Sequence, residues 1–207
     1  AEKAGCRVYH KDFDGFGEQK QYAVSLANND WVLSLDADEI LDDKLQAYFQ
    51  AGSFNDKGVD GYELKRLMVY MNREMIWSKF RKERILRFFN KSKGAFNKKK
   101  VHEEILVEGR TEVLDGYLLH YSYKDVAHHI EKINSYTSLA ALTMYQKGKK
   151  TSILHIVVKS VTEFFRVYIF QLALLDGLVG FSWAVSSSYY KALKYFKLRE
   201  MHSITSK

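Results

Sequence analysis

The stretch Trp31-Val-Leu-Ser-Leu-Asp36-Ala-Asp38-Glu39 joins an uncharged, largely apolar run to three carboxylates within four positions. The run is short and contains aromatic and β-branched residues, so it predicts a buried strand rather than a helix. The carboxylates follow the C-terminal end of that strand, the edge at which open α/β sheets bind ligands. Side chains two positions apart on an extended chain point the same way, so Asp36 and Asp38 are expected on one side. Paired oxygen donors of this kind suit Mg²⁺ or Mn²⁺, completed by phosphate oxygens.

Two other interpretations of this stretch stay open on the residues alone. An Asp-x-Asp after an apolar run also occurs by chance in a solvated turn. Phosphatases that form an aspartyl phosphate use the same spacing, although they usually carry Thr or Val where this chain has Ile40.

Composition limits the class of protein. At 207 residues the chain suits one domain, or one domain with an appendage, and 46% hydrophobic residues exclude a disordered chain. The formal charge of +7 favours anionic partners. The single cysteine, Cys6, excludes an internal disulfide and a multi-cysteine zinc site. The first seven residues lack the apolar core of a signal peptide.

Strand and helix patterns alternate through the first two thirds of the chain. A strand at Arg7–His10, a helix over 19–28 and the strand from Trp31 predict an α/β unit with a right-handed crossover. Asp42 or Asp43 can cap a helix that Gly52 ends. Further elements are expected as strands at 61–70, 84–89 and 117–123 and as a helix over 125–146.

The last third has a different pattern. Residues 153–175 are mostly apolar and long enough to span a bilayer. They also carry one polar stripe, His155, Lys159, Glu163 and Arg166, which would be costly inside lipid. The pattern therefore predicts an amphipathic helix that lies in a membrane interface or packs on the domain. A break over 175–181 precedes a second such helix over 183–198.

Taken together, the motifs resemble a family-2 inverting glycosyltransferase, and they are most similar to bacterial lipopolysaccharide-core β-glucosyltransferases and related cell-envelope enzymes. The resemblance covers nearly the whole chain and depends on the order and spacing of its motifs. These are Asp14-Gly-Phe-Gly17, Gln19-Lys20, Asp30 to Glu39, Gly61-Tyr62, Leu86-Arg-Phe-Phe89, Val101-His-Glu103, His120-Tyr-Ser122, Lys132-Ile-Asn-Ser-Tyr136, Leu175-Asp-Gly177 and Gly180-Phe181.

The resemblance implies a GT-A, Rossmann-like sheet that binds a nucleotide-sugar, with flanking helices, and a C-terminal amphipathic helical region. It places a truncated GT-A-like domain at 1–122 and a helical, membrane-associating region at 123–207. Members of the family begin with a further nucleotide-binding strand and loop. The resemblance therefore leads us to expect that this segment is missing here, which would leave an unpaired sheet edge.

The resemblance also implies roles for particular residues. Asp38 would bind Mn²⁺ or Mg²⁺ at the donor diphosphate, and Asp36 would lie near the metal or the ribose. Lys20, Arg84 and Arg87 would contact the nucleotide or its diphosphate. Glu103 would be the base that deprotonates the acceptor hydroxyl, assisted by His102. Sugar transfer with inversion needs one base and a stabilised leaving diphosphate, which agrees with these roles.

The expected activity is transfer of a hexose from a nucleotide-sugar, most simply a UDP-sugar, to a glycan or glycolipid acceptor. The expected location is the inner face of the cytoplasmic membrane, with peripheral membrane contact. One alternative is an inactive homologue that serves as a membrane-surface interaction module. A nucleic-acid partner is not expected, because the basic residues surround the predicted nucleotide site instead of forming one stripe.

Overall fold

The computed structural model describes residues 1–52, 58–79, 83–97 and 103–205. The helices in these ranges are α1 Phe16–Ser25, α2 Asp43–Ala51, α3 Val126–Gln146, α4 Ile153–Phe165 and α5 Gly177–Thr205. The strands are β1 Trp31–Leu33, β2 Glu39–Leu41, β3 Gly61–Tyr70, β4 Arg73–Glu74, β5 Arg84–Asn90, β6 Gly94–Phe96, β7 Ile105–Val107 and β8 Thr111–His120. This confirms the predicted α/β class, with a sheet, flanking helices and a helical C-terminal region.

The chain divides into two compact units. Unit 1 comprises Ala1–Lys65 and Arg84–Leu118, and unit 2 comprises Arg66–Glu83 and Leu119–Lys207. Unit 2 therefore combines the C-terminal helices with the segment 66–83, an association that the sequence did not indicate. The domain limits 1–122 and 123–207 stay a prediction.

The main sheet has the strand order β1-β5-β3-β8-β2, and β4 pairs with β3. Strand β5 runs antiparallel to both of its neighbours, β1 and β3. Strands β6 and β7 form a separate antiparallel pair. Behind the sheet, Tyr62, Leu64 and Phe88 are buried against Leu45 of α2, with Trp31 packed at the edge of this cluster. Burial of these large side chains is the main stabilisation of unit 1.

Helix α2 forms as the sequence predicts. The Asp42 carboxylate accepts the N–H of Leu45 at 2.9 Å as the N-cap, and Gly52 ends the helix in the left-handed conformation. The other oxygen of Asp42 accepts the N–H of Tyr117 in β8 at 2.8 Å. Gly116 has φ +131°, and a Cβ there would lie 2.8 Å from Asp42 Oδ1, so this junction requires glycine.

Two predictions about the first strands are wrong. Residues Arg7–His10 lie outside regular structure and are exposed, because no described strand pairs with them, so the expected crossover unit does not form there. Strand β1 ends at Leu33, and Asp36 and Asp38 lie in a turn rather than on an extended strand end. The N–H of Glu39 donates to the carbonyl oxygen of Asp36 at 3.0 Å and closes that turn.

The helix expected over 153–175 is shorter than predicted. Helix α4 ends at Phe165 and continues as one π-helical turn over Arg166–Phe170. The break begins at Gln171, and Leu172 adopts φ 60°. Helix α5 then starts at Gly177, earlier than expected. Gly180 lies within this helix, and the position requires glycine, because a Cβ there would collide with the carbonyl of Ala173.

Candidate functional site

Four residues that the sequence assigned to the site meet in unit 1. Lys20 Nζ lies 2.7 Å from Asp36 Oδ1 and 2.9 Å from Glu103 Oε1. Arg87 Nη2 lies 2.7 Å from Asp36 Oδ2 and 2.6 Å from Glu39 Oε1. We call these five residues the Lys20 network. The fold therefore brings together side chains from α1, the turn after β1, strand β5 and the segment before β7.

Helix α1 sets the position of Lys20. Val24, one turn further along the helix, is buried with Phe89 and Phe96. The side chain of Gln21 accepts the backbone N–H of Phe96 at 2.8 Å, which ties α1 to strand β6. Anchored in this way, α1 holds the Lys20 side chain at 19% exposure, so its ion pairs are only partly screened by water.

A β-bulge directs Arg87 into the network. Tyr62 and Glu63 are adjacent in β3, yet they pair with Phe88 and Leu86, so Arg87 is the extra residue of β5. A bulge of this kind turns a side chain away from the regular alternation. On the other edge of β5, the carbonyl oxygen of Arg87 accepts the N–H of Ser34 at 2.8 Å. Arg87 thereby holds the segment after β1 through both its backbone and its side chain.

The buried side chain of Glu39 stabilises the turn that contains Asp36 and Asp38. Its side chain is fully buried, and its Oε2 accepts the N–H of Asp36 at 2.9 Å while Oε1 accepts from Arg87. A buried carboxylate is tolerated only when it is paired and hydrogen-bonded, and both conditions are met here. Glu39 therefore orients Asp36 rather than facing a ligand.

The network keeps two carboxylates ionised. Burial raises the pKa of Asp36, but the hydrogen bond from Lys20 and the charges of Arg87 and Lys20 outweigh it, so that the pKa lies below its ordinary value. Burial likewise raises the pKa of Glu103, but the hydrogen bond from Lys20, a backbone hydrogen bond and the charge of Lys20 together outweigh it, so that this pKa also lies below its ordinary value. Glu103 is therefore a carboxylate at neutral pH, the state that a general base needs.

The other predicted site residues lie in different surroundings. Asp38 is half-buried in the same turn as Asp36. Arg84 is exposed at the start of β5, in register with Lys65, and is not one of the residues of the Lys20 network. His102 lies outside the described residues. Its role stays a prediction.

The carboxylates of the site fit a divalent metal that takes only a few of its ligands from the protein. Both oxygens of Asp36 already contact cationic side chains, and Asp38, whose role as a metal ligand stays a prediction, is half-buried in the same turn. Among the described residues no group of three or more His, Cys, Asp or Glu side chains could hold a metal ion. A metal here would take most of its ligands from diphosphate oxygens and water, which is how Mg²⁺ commonly binds.

Formal charge supports the same interpretation. Within the described part of the site, Lys20 and Arg87 contact three carboxylates, those of Asp36, Glu39 and Glu103. Asp38 lies in the same turn as Asp36. A diphosphate alone would add negative charge to a site whose described side chains are already net negative. A divalent cation would neutralise it, so the residues present favour joint binding of metal and diphosphate.

Glu39 was not predicted as a site residue, and the carboxylate partners of Arg87 were not predicted either. Glu39 is the third carboxylate of the opening stretch, and its spacing of three from Asp36 was the available signal. Arg87 is buried between two carboxylates, and its predicted contact with the diphosphate stays a prediction. Only the bulge explains this position, and nothing in the local sequence marks it.

Comparison with known proteins gives three informative relatives. An uncharacterized glycosyltransferase of Rickettsia conorii is 29% identical over 97% of this chain and 75% of its own length. An uncharacterized glycosyltransferase of Rickettsia felis is 28% identical with the same coverage. The lipopolysaccharide core biosynthesis glycosyltransferase LpsC of Rhizobium meliloti is 26% identical over 97% of this chain and 75% of its own length. No known protein-family profile matches the chain.

These relatives, together with the α/β fold, support a glycosyltransferase enzyme. That part of the interpretation from the sequence motifs is confirmed. A sugar donor and a glycan acceptor follow from the class. The assignment to family 2 and the inverting stereochemistry stay predictions.

Proposed function

We propose that this protein transfers a hexose, with inversion, from a UDP-sugar to a lipid-linked or lipopolysaccharide-type glycan, in a reaction that depends on Mn²⁺ or Mg²⁺. The proposed acceptor is supported by the printed name of LpsC, which assigns that relative to lipopolysaccharide core biosynthesis. The observation that carries the proposal is the position of Lys20 between Asp36 and Glu103.

Glu103 would act as the base in this reaction. Its ionised carboxylate would take the proton of the acceptor hydroxyl as the acceptor oxygen bonds to C1 of the donor sugar. The bond from C1 to the diphosphate oxygen breaks at the same time, and its electron pair leaves with UDP. Attack on the face opposite the leaving group inverts the configuration at C1.

Lys20 and Asp36 would bind the donor. The Lys20 ammonium is a compact charge that suits a phosphate oxygen, and it would stabilise the negative charge that develops on the leaving diphosphate. Asp36, held by Lys20 and Arg87, would accept a hydrogen bond from a donor hydroxyl such as that of the ribose. A metal ion held by Asp38 would supply Lewis-acid stabilisation of the same diphosphate.

The proposed location is the inner face of the cytoplasmic membrane, where nucleotide-sugars and lipid-linked acceptors meet. The charge of unit 2 supports this placement. Its sequence contains 17 Lys and Arg against seven Asp and Glu, a formal charge of +10, whereas unit 1 contains 15 against 18 and carries −3. Anionic lipids attract such a basic surface.

A transfer assay tests this function. The purified protein is incubated with Mn²⁺, a panel of UDP-hexoses and deacylated lipopolysaccharide core oligosaccharides, and UDP release and product mass are measured. We expect Glu103→Gln to lower turnover about a hundredfold or more while UDP still binds. The neighbouring Glu104→Gln is the matched control and should leave turnover unchanged. Full activity of the Glu103 variant would rule out the assigned base.

A further inference from the structure

Helix α4 packs through its more polar side. Ile156 and Val167 are buried, the carbonyl of Ser160 accepts the hydroxyl of Ser188 in α5 at 2.8 Å, and the Glu163 carboxylate lies 4.0 Å from Lys191. These positions recur at i, i+4, i+7 and i+11, so they form one side of α4, directed at α5. The predicted polar stripe therefore lies partly against protein rather than wholly in water.

The opposite side of α4 is apolar and exposed. We call the following residues, with their exposed fractions, the apolar face of α4: Leu154 72%, Val157 52%, Val158 47%, Val161 49% and Phe165 47%. Their spacing of i, i+3, i+4, i+7 and i+11 makes one continuous stripe. Phe170 and Leu178, at the bend that follows, are 80% and 73% exposed. A continuous exposed apolar stripe of this length marks an interaction surface.

The charge of unit 2 identifies what covers this surface. A second copy would bring one unit of formal charge +10 against another, which is repulsive. A leaflet that contains anionic lipid offers both an apolar interior and a negative surface. Lys149 and Lys150, both exposed, precede α4 at the end where the apolar face begins. This combination is typical of a helix that lies in the membrane interface.

We infer that the apolar face of α4 is the surface by which this protein binds an anionic membrane leaflet, with α4 lying in the plane of the interface. None of the helices described could cross a membrane alone. The segments Ile153–Phe170 and Ala173–Ile204, bent by 70° at the break between them, have the length and composition of a membrane span only when taken together. The inference deepens the proposed function and rests on it for the acceptor, but the surface itself rests on exposure and charge.

Flotation with vesicles tests the surface. The full chain is mixed with vesicles of phosphatidylcholine alone or with added phosphatidylglycerol, at low and high salt. We expect flotation with the anionic vesicles, weakened by salt. The triple variant Val157→Gln, Val161→Gln, Phe165→Gln should lose about tenfold or more in partitioning. The control Leu139→Gln, Leu142→Gln changes residues of α3 that are 64% and 43% exposed, and it should bind like the wild type.

A second experiment measures membrane contact without making the apolar face of α4 polar. In a Cys6→Ser background, an environment-sensitive dye on Val158→Cys should shift to the blue with anionic vesicles, and the same dye on Leu139→Cys should not. Lys149→Gln with Lys150→Gln should weaken binding about fivefold per charge at low salt. Equal binding of the triple variant and the wild type, or no flotation of a folded wild type, would overturn the inference. Loss of self-association rather than of flotation in the triple variant would assign the face to a second copy.

Failure of this inference is distinguishable from failure of the proposed function. Vesicle binding is measured without a nucleotide, and UDP binding is measured without lipid. A protein that binds UDP but does not float retains the catalytic proposal and loses the membrane surface. A protein that floats but does not bind UDP gives the opposite result.

Discussion

Lys20 and Glu103 lie 2.9 Å apart, from Nζ to Oε1, although one belongs to the first helix and the other to the segment before β7. The same ammonium lies 2.7 Å from Asp36. A donor diphosphate that binds Lys20 would therefore weaken the ion pairs of Lys20 with both carboxylates. The proposed donor-binding residue and the proposed base are thus linked through one charge.

Replacing Lys20 should raise the pKa values of Glu103 and Asp36. Burial is the largest single effect and raises both pKa values, but the hydrogen bond and the charge of Lys20, together with Arg87 at Asp36 and a backbone hydrogen bond at Glu103, lower both below their ordinary values. In Lys20→Gln the effect of burial is less opposed, so both carboxylates should titrate at higher pH. Carboxyl ¹³C NMR titration measures this shift. Lys44→Gln, whose partner is Asp115, is the control and should leave both midpoints in place.

The lowered pKa values of Asp36 and Glu103 also determine how the stability of the folded protein changes as the pH falls. A carboxyl group whose folded pKa is lowered adds stability above its unfolded pKa, near 4.5 for Glu103, and loses it as the pH falls through the folded value. Lys20→Gln should therefore be less stable than the wild type at pH 7, and the difference should narrow below pH 4.5. Urea unfolding across this range measures it. A constant difference would contradict the linkage.

Glu39→Ala should cost about 3 kcal/mol of unfolding free energy, because it leaves the buried Arg87 with a single carboxylate partner and removes the acceptor of the Asp36 N–H. Chemical denaturation measures the loss. The matched control is Asp43→Ala, an exposed acidic residue in the first turn of α2, for which the loss should stay within about 1 kcal/mol. Equal losses would show that Glu39 does not hold the turn.

Asp42 and Asp43 should differ sharply although they are neighbours. Asp42 caps α2 and also accepts the N–H of Tyr117, so Asp42→Ala should cost about 2 kcal/mol, one for the cap and one for the second hydrogen bond. Thermal unfolding of the two alanine variants compares them. A larger loss at Asp43 would contradict the observed capping.

His129 should make unit 2 acid-sensitive. Burial, followed by the charges of Lys132 and His128, lowers its pKa to about 4, and its Nδ1 lies 2.8 Å from the hydroxyl of Tyr70. Between pH 6.5 and 4 the unfolded chain binds a proton that the folded chain does not, so stability should fall by about 3 kcal/mol over this range. In His129→Asn, which keeps an acceptor for Tyr70, that pH dependence should be largely absent. The control is His10→Asn, a substitution of an exposed histidine, and this variant should keep the pH dependence of stability.

Local sequence signals predicted helix α2, and the order of the motifs predicted several of the site residues. Asp42 and Gly52 act within a few residues of the helix that they bound, so the sequence alone specifies them. Lys20, Asp36 and Glu103 were identified through the order of motifs, and the fold brings them together. The position of Arg87 depends on a bulge between β3 and β5, which is a property of two paired strands rather than of either sequence.

The wrong predictions have a similar cause. Arg7–His10 has a strand-like composition, but a strand requires a partner, and composition does not supply one. The helical periodicity of residues 153–175 was correct for α4 as a helix, yet it could not indicate which side meets α5. The pairing of Ser160 with Ser188 decides that side, and it depends on tertiary packing.

The most direct test of the catalytic account is calorimetric titration of the 207-residue chain with UDP, with and without Mn²⁺, beside Asp38→Asn and the control Asp43→Asn. The account predicts binding that requires Mn²⁺, that Asp38→Asn weakens at least tenfold, and that Asp43→Asn leaves unchanged. Binding that is indifferent to Mn²⁺ and to Asp38, or no binding by the folded chain, would contradict a metal-dependent nucleotide site at this turn.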